Sequence, residues 1–184
     1  MPCHQAGDVA LGKRYAVAMI TVLIRVQRGP EALAVTLSAL VPAVAAGLVG
    51  DAVILAAIQD EAIDRVADAS GATLVVSEGR PWIEGARAAR HEWLLCLDDG
   101  DVPQEGWIRV LERFVGLGGP AGGLGRLRRQ AGWRHTVFDG LRALLRPREV
   151  TAGDLIHRRV LLEGARIRAP IRLPAAIGRD PVFG

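Results

Sequence analysis

Apolar runs of strand length recur through the first hundred positions and alternate with stretches of helical period. Residues 17–26 (VAMITVLIRV) are β-branched and apolar on both faces, as a buried parallel strand requires. Gly29-Pro30 breaks this run. Glu31 then opens a helix predicted to reach Ala46, with Pro30 where a missing N–H costs little. Gly47 and Gly50 are expected to end it. Ala52–Ile58 is a second buried strand, and Asp60–Ser70 a helix with Ile63, Val66 and Ala67 on one face, closed by Gly71. Thr73–Ser77 is the third strand, followed by a loop at Glu78–Pro81 and a short helix at Trp82–Arg90. Trp93–Leu97 is the fourth strand. It runs straight into Asp98-Asp99-Gly100-Asp101, and Gly106–Val115 forms the next helix.

Strands alternating with helices in this way predict right-handed βαβ units. The expected fold class is α/β, a mostly parallel sheet with helices on both faces. Past Gly116 the pattern fades. Gly116–Gly125 reads as a Gly-rich linker, Trp133–Leu145 as an amphipathic helix, and Leu155–Leu162 fits strand or helix equally. The expected organisation is a flexible leader at 1–16, an α/β half at 17–115, and a basic, partly irregular remainder of the same domain at 116–184.

Half of the 184 residues are apolar but only 4% are aromatic, so Ala, Val, Leu and Ile must build the core. Leu33–Val49 is interrupted by Thr36, Ser38, Pro42 and Gly47 and falls short of the roughly 20 clean residues of a membrane span. With only Cys3 and Cys96, no disulfide framework or CxxC metal site is available, which is compatible with a cytoplasmic location. The net charge of +3 hides an asymmetry. Residues 1–112 carry nine Lys/Arg against fifteen Asp/Glu, whereas 113–184 carry fourteen against five. Such a basic third is either a solvated face or a surface for phosphates, nucleic acid or the anionic inner face of a membrane.

In open α/β sheets ligands bind beyond the carboxyl ends of the strands. There, three carboxylates crowd into the turn Asp98–Asp101. They repel one another unless solvated or neutralised by a cation; hard oxygen donors of this kind suit Mg2+ or Mn2+. An ordinary acidic turn is the alternative, since Asp and Gly favour turns. The four histidines lack ligand spacing, and there is no G-x-S-x-G elbow. Neither a G-x-G-x-x-G nor a G-x-x-x-x-G-K-[ST] follows the first strand, which disfavours dehydrogenase and P-loop chemistry.

Residues 18–26, the helix at 31–46, the strand at 52–58, Asp60 heading a helix, and Gly85–Asp101 (GARAARHEWLLCLDDGD) form a larger pattern, continued by Pro103 and Gly106-Trp107. Together they resemble the N-terminal half of family 2 glycosyltransferases of the GT-A fold, a Rossmann-like nucleotide-sugar-binding architecture. A weaker likeness continues through Gly153–Arg159. The resemblance implies a protein that binds a nucleotide-diphospho-sugar and transfers the sugar to an acceptor, here unknown, with Mg2+ or Mn2+ held by a DxD-like motif. On that basis Arg28, Asp60, Arg80 and Asp98 are candidate nucleotide-binding residues, and Asp99 and Asp101 candidate metal ligands. Asp60 serves equally well as a helix cap.

The departures point toward weak activity. Ala56 and Ala57 stand where the family presents a carboxylate to the base. In the register set by Pro103 and Trp107, Gly100 falls on the second DxD carboxylate, leaving Asp99 and Asp101 as a shifted pair. Residues 164–178 hold no carboxylate to act as a general base, and Asp154, Glu163 and Asp180 flank that stretch outside any recognisable motif. The alternative is a non-catalytic nucleotide-, sugar- or partner-binding descendant of the fold. Nucleic-acid binding is disfavoured by the scarcity of aromatics for stacking.

Overall fold

The computed structural model describes residues 19–119, 123–130, 149–164 and 169–183. The expected leader at 1–16 and helix at Trp133–Leu145 lie outside them. Within them the strands are β1 (Ile20–Arg25), β2 (Val49–Ala56), β3 (Thr73–Val76), β4 (Trp93–Asp98), β5 (Asp101–Pro103), β6 (Leu124–Arg129), β7 (Asp154–His157) and β8 (Ile171–Arg179). The helices are α1 (Pro30–Ala45), α2 (Glu61–Ser70), α3 (Pro81–Ala88), α4 (Trp107–Gly116) and α5 (Arg158–Leu162).

The eight strands form one sheet in the order β3-β2-β1-β4-β7-β6-β8-β5. β1 pairs in parallel with β2 and β4, β2 with β3, and β6 with β8. β7 is antiparallel to both β4 and β6, and β5 to β8. Six strands therefore run one way and β5 and β7 the other. The mostly parallel α/β sheet expected from the pattern is the observed architecture.

Side-chain alternation divides the core between the two faces. Ile20, Val22 and Ile24 of β1 join Leu95 and Leu97 of β4 beneath Leu33 and Leu40 of α1, Ile63 of α2 and Leu111 of α4. Leu23, Val53, Leu55, Leu94 and Cys96 point the other way, under Trp82 and Ala86 of α3 and Val160 of α5. Both faces are apolar because both are roofed by helices. α3 lies so close that a Cβ on Gly85 would stand 2.9 Å from Leu55 Cδ2 and 3.2 Å from Leu23 Cδ2.

Some boundaries differ from the sequence expectation for local reasons. β2 begins at Val49 rather than Ala52, and the register slips between Ile20 and Thr21, so that Gly50 sits in an irregularity of the ladder instead of ending α1. The ambiguous stretch Leu155–Leu162 is both things in succession, the end of β7 and then α5. The supposed linker Gly116–Gly125 contains the end of α4 and the start of β6.

Candidate functional site

The chain steps outward from β1 to β2 to β3, then returns to lay β4 on the opposite side of β1. The crevice between β1 and β4 is thus a topological switch point, the usual ligand position in open α/β sheets. The turn Asp98–Asp101 lies across it. β6 and β8 run in the same direction as β1 and β4, so the last residues of all four strands, Arg25, Asp98, Arg129 and Arg179, meet at one edge.

Asp99 is fully buried. Its Oδ2 accepts from the backbone N–H groups of Gln27 (2.9 Å), Arg28 and Gly29 (3.0 Å), and its Oδ1 from Arg28 Nη1 (3.1 Å). Three successive amides of the β1–α1 loop thus form an anion cradle, and the chain fills it with its own carboxylate. Arg28 also donates to the Asp99 carbonyl (3.0 Å) and, through Nε, to the Phe183 carbonyl (3.1 Å). Gly100 has φ +81°, and a Cβ there would meet Phe183 Cβ at 3.3 Å. The tight turn therefore favours glycine on both counts.

Asp101 is also fully buried and is held from two sides. Arg129 makes a bidentate contact, Nη1 to Oδ1 at 3.2 Å and Nη2 to Oδ2 at 2.8 Å, and the Asp98 N–H donates to Oδ2 at 2.8 Å. Burial pushes the Asp101 carboxyl above its ordinary pKa, against the pull of Arg129. Asp98 Oδ1 accepts from Arg25 Nε (3.0 Å) and lies 2.9 Å from its Nη2, and Oδ2 is 3.6 Å from Arg129 Nη2. The Arg25 guanidinium also lies 5.1 Å from the Trp82 ring centroid, in cation–π range.

Arg179 has the fewest partners of the four arginines. Its Nε is buried without an acceptor among the described residues, and Nη2 comes no closer than 4.0 Å to Asp101 Oδ1. Burial, then the positive charges of Arg28 and Arg129, hold its pKa below the usual guanidinium value. Four guanidinium groups therefore surround three carboxylates. Asp180 stands next in the chain, but its carboxylate accepts from the Val182 N–H (2.9 Å) and makes no ion pair among the described residues.

Of the sequence-predicted site residues, Arg28, Asp98, Asp99 and Asp101 come together here. Asp60 and Arg80 lie after β2 and β3, further along the same edge. Asp60 caps α2, accepting from Ala62 N (2.8 Å) and Ile63 N (3.2 Å). Arg80 precedes α3 and is exposed. Sequence reasoning missed Arg129 and Arg179. The available signal was the unneutralised acidic turn itself, together with a basic third able to supply the countercharge.

Two further carboxylates flagged by the sequence, Asp154 and Glu163, are already engaged. Asp154 is fully buried and held by Arg126 Nε (2.6 Å) and Nη2 (2.8 Å) and by Thr151 N (2.8 Å). Glu163 pairs with Arg159 at 3.6 Å on α5.

The donor set also tests for a divalent cation. Both oxygens of Asp99 and of Asp101 are already engaged, and Asp98 is shared between Arg25 and Arg129. Among the described residues no three Asp, Glu, His or Cys side chains converge on a point that could hold a metal. As arranged, guanidinium groups and backbone amides hold these carboxylates, and Asp98 Oδ2, 3.6 Å from Arg129 Nη2, is the oxygen held least closely.

No protein-family model matches the sequence, and no curated protein matches it. Solved structures do match in fold. Glucosyl-3-phosphoglycerate synthase from Mycobacterium tuberculosis, in complex with phosphoglyceric acid, superposes with a TM-score of 0.62 at 19% identity, covering 88% of this chain and 71% of that one. The same enzyme with Mn2+, uridine diphosphate and glucosyl-3-phosphoglycerate gives 0.63 at 16% identity, over 96% and 77%. Its complex with Mg2+ and uridine diphosphate gives 0.61 at 16% identity, over 88% and 70%. The fold is of the GT-A glycosyltransferase type, and the two neighbour complexes with uridine diphosphate also hold Mn2+ or Mg2+.

Proposed function

We propose that this chain binds a nucleotide-diphospho-sugar at the carboxyl edge of its sheet and is a glycosyltransferase-like protein with an unknown acceptor. The observation that carries the reading is the coincidence of a GT-A-type sheet with an arginine-lined crevice at its β1/β4 switch point. Nucleoside and sugar would lie over the loops after β2 and β3, near Asp60 and Arg80, with the diphosphate toward Arg28. Ala56 and Ala57 offer no side-chain acceptor to the base, so recognition there falls to the backbone and to neighbouring groups.

Transfer itself should be slow. The neighbours hold Mn2+ or Mg2+ beside uridine diphosphate, and here such an ion would reach Asp98, Asp99 or Asp101 only by displacing arginines. Asp180, next to Arg179, makes no ion pair among the described residues, and it is a candidate to accept a proton from an acceptor hydroxyl. A missing general base lowers rates by about 10²–10⁴-fold. The inward commitment of the carboxylates also favours the second reading, a binding protein that kept the fold and lost the chemistry. Release of nucleoside diphosphate from a panel of uridine- and guanosine-diphospho-sugars, with and without Mn2+, separates the two. Turnover above about 1 s⁻¹, within the ordinary enzyme range, would overturn the slow-transfer reading.

Among the described residues no helix is long and apolar enough to cross a membrane. Arg126, Arg129 and Arg179 of the basic third face aspartates within the sheet. That leaves fewer cations for an anionic membrane surface than the sequence count suggests.

A further inference from the structure

We propose that Arg179, with Arg28 and Arg129 beside it, takes the diphosphate of the ligand directly on guanidinium groups, without a bridging divalent cation. This rests on the nucleotide-binding reading above and adds to it which residues hold the phosphates and how.

Arg25, Arg28, Arg129 and Arg179 face Asp98, Asp99 and Asp101, and three of the four have a carboxylate within 3.1 Å. Arg179 does not; its nearest carboxylate oxygen is 4.0 Å away. A buried Nε with no acceptor is a cost that native proteins rarely leave standing, since an unmade hydrogen bond to a charged group forfeits its full desolvation energy. Arg179 nevertheless stands at the end of β8, near the charges of Arg28 and Arg129.

A dianionic group placed against Arg179 would cancel the repulsion from Arg28 and Arg129 and supply the missing acceptors. The planar guanidinium fork matches phosphate oxygens in a bidentate way. All four arginines remain a quarter to a third exposed, so a ligand can reach them from solvent.

The chain has also closed the alternatives. The amide cradle after β1 holds Asp99, so a phosphate cannot use it. The carboxylates that would hold a cation are already bonded to arginines. Among the described residues at this edge, Arg179 is the guanidinium held least closely, with Asp101 Oδ1 4.0 Å from Nη2 and no acceptor on Nε.

The test is calorimetric titration of the full chain with uridine diphosphate and, separately, inorganic pyrophosphate, first in EDTA and then with Mn2+. The wild type should bind uridine diphosphate in EDTA and gain little from Mn2+. Arg179→Gln should weaken binding about 10–100-fold, the range of one charge-assisted hydrogen-bonded contact. Arg179→Lys should recover part of that loss, because it restores the charge without the fork. Arg65→Gln removes the same charge from the exposed face of α2 and should change little. Thermal unfolding of each variant confirms that it is folded. Binding that requires Mn2+ and ignores Arg179→Gln overturns this proposal and leaves the nucleotide reading standing. Arg179-dependent binding of pyrophosphate with no gain from the nucleoside overturns the nucleotide reading and leaves the anion site. No binding of either ligand under either condition overturns both.

Discussion

Arg126 and Asp154 face each other across β6 and β7, while a few residues away Arg25, Arg28, Arg129 and Arg179 surround Asp98, Asp99 and Asp101. The two assemblies use the same two residue types in the same sheet. In the first the partners match: Asp154 receives two guanidinium N–H groups and the Thr151 amide, and Arg126 Nη2 reaches the Glu149 carbonyl at 3.2 Å. In the second, Arg179 shares Asp101 with Arg129 and comes no closer to it than 4.0 Å. A matched buried pair joins strands and offers nothing to a ligand. An unmatched cation beside it keeps hydrogen-bonding capacity for something from outside.

The comparison breaks most visibly at the carboxylates. Removing one partner of a buried pair strands the other charge, which typically costs about 3–5 kcal/mol. Asp99→Ala should lie at the upper end, about 5 kcal/mol, because it strands three backbone amides as well as Arg28. Urea unfolding measures it; a loss below about 1 kcal/mol, the level of a surface ion pair, would mean that water replaces Asp99 in its cradle.

Asp154→Leu comes next, at about 3 kcal/mol. Adding Arg126→Met should return part of that loss, since exchanging both members of a buried pair for apolar groups is often close to neutral. If the double variant is as unstable as the single one, the Thr151 amide and the Glu149 carbonyl, not the stranded guanidinium, set the cost. Arg179→Gln is the contrasting case. With its nearest carboxylate oxygen 4.0 Å away and that aspartate held by Arg129, it should change stability by no more than about 0.5 kcal/mol. A loss of 2 kcal/mol or more, the scale of a broken buried network, would make Arg179 a structural residue like Arg126.

The same contrast explains what the sequence could and could not reveal. Strands β1, β2 and β4 are buried on both faces, so their apolar runs announce them. Asp98, Asp99 and Asp101 are legible because they directly follow such a run. β5 is three residues long and ends in Pro103, and β8 carries Pro174 and Gly178; none of these reads as a strand. In β6, LGRLRR, the arginines look like a solvated face, although Arg126 and Arg129 turn to aspartates. Arg129 and Arg179 lie 28 and 78 positions from Asp101, and strand pairing alone brings them to it. The sequence shows the turn and hides the pairing, so a metal was the countercharge it could suggest and the arginines were not legible.

The smallest expected effect concerns the pH dependence of the matched pair. Its two members sit in different environments: Arg126 keeps 23% of its side chain exposed and Asp154 none. The hydrogen bond to Asp154 holds Arg126 above its ordinary pKa. Burial raises that of Asp154, with Arg126 and Thr151 opposing. A carboxyl whose folded pKa is raised binds its proton more tightly in the native state than in the unfolded chain. Its contribution to stability is complete below the unfolded value, about 3.9, and is lost as pH rises through the folded value. Urea unfolding of the wild type and of Asp154→Asn, followed from pH 7 down to pH 4, isolates this group because the other carboxylates are common to both proteins. The difference between them should move in favour of the wild type as the pH falls. If it moves the other way, the attraction of Arg126 outweighs the burial of Asp154 and holds its folded pKa below the unfolded value. The matched pair would then be an electrostatic gain to the fold as well as a join between β6 and β7, and the contrast with Arg179 would be sharper still.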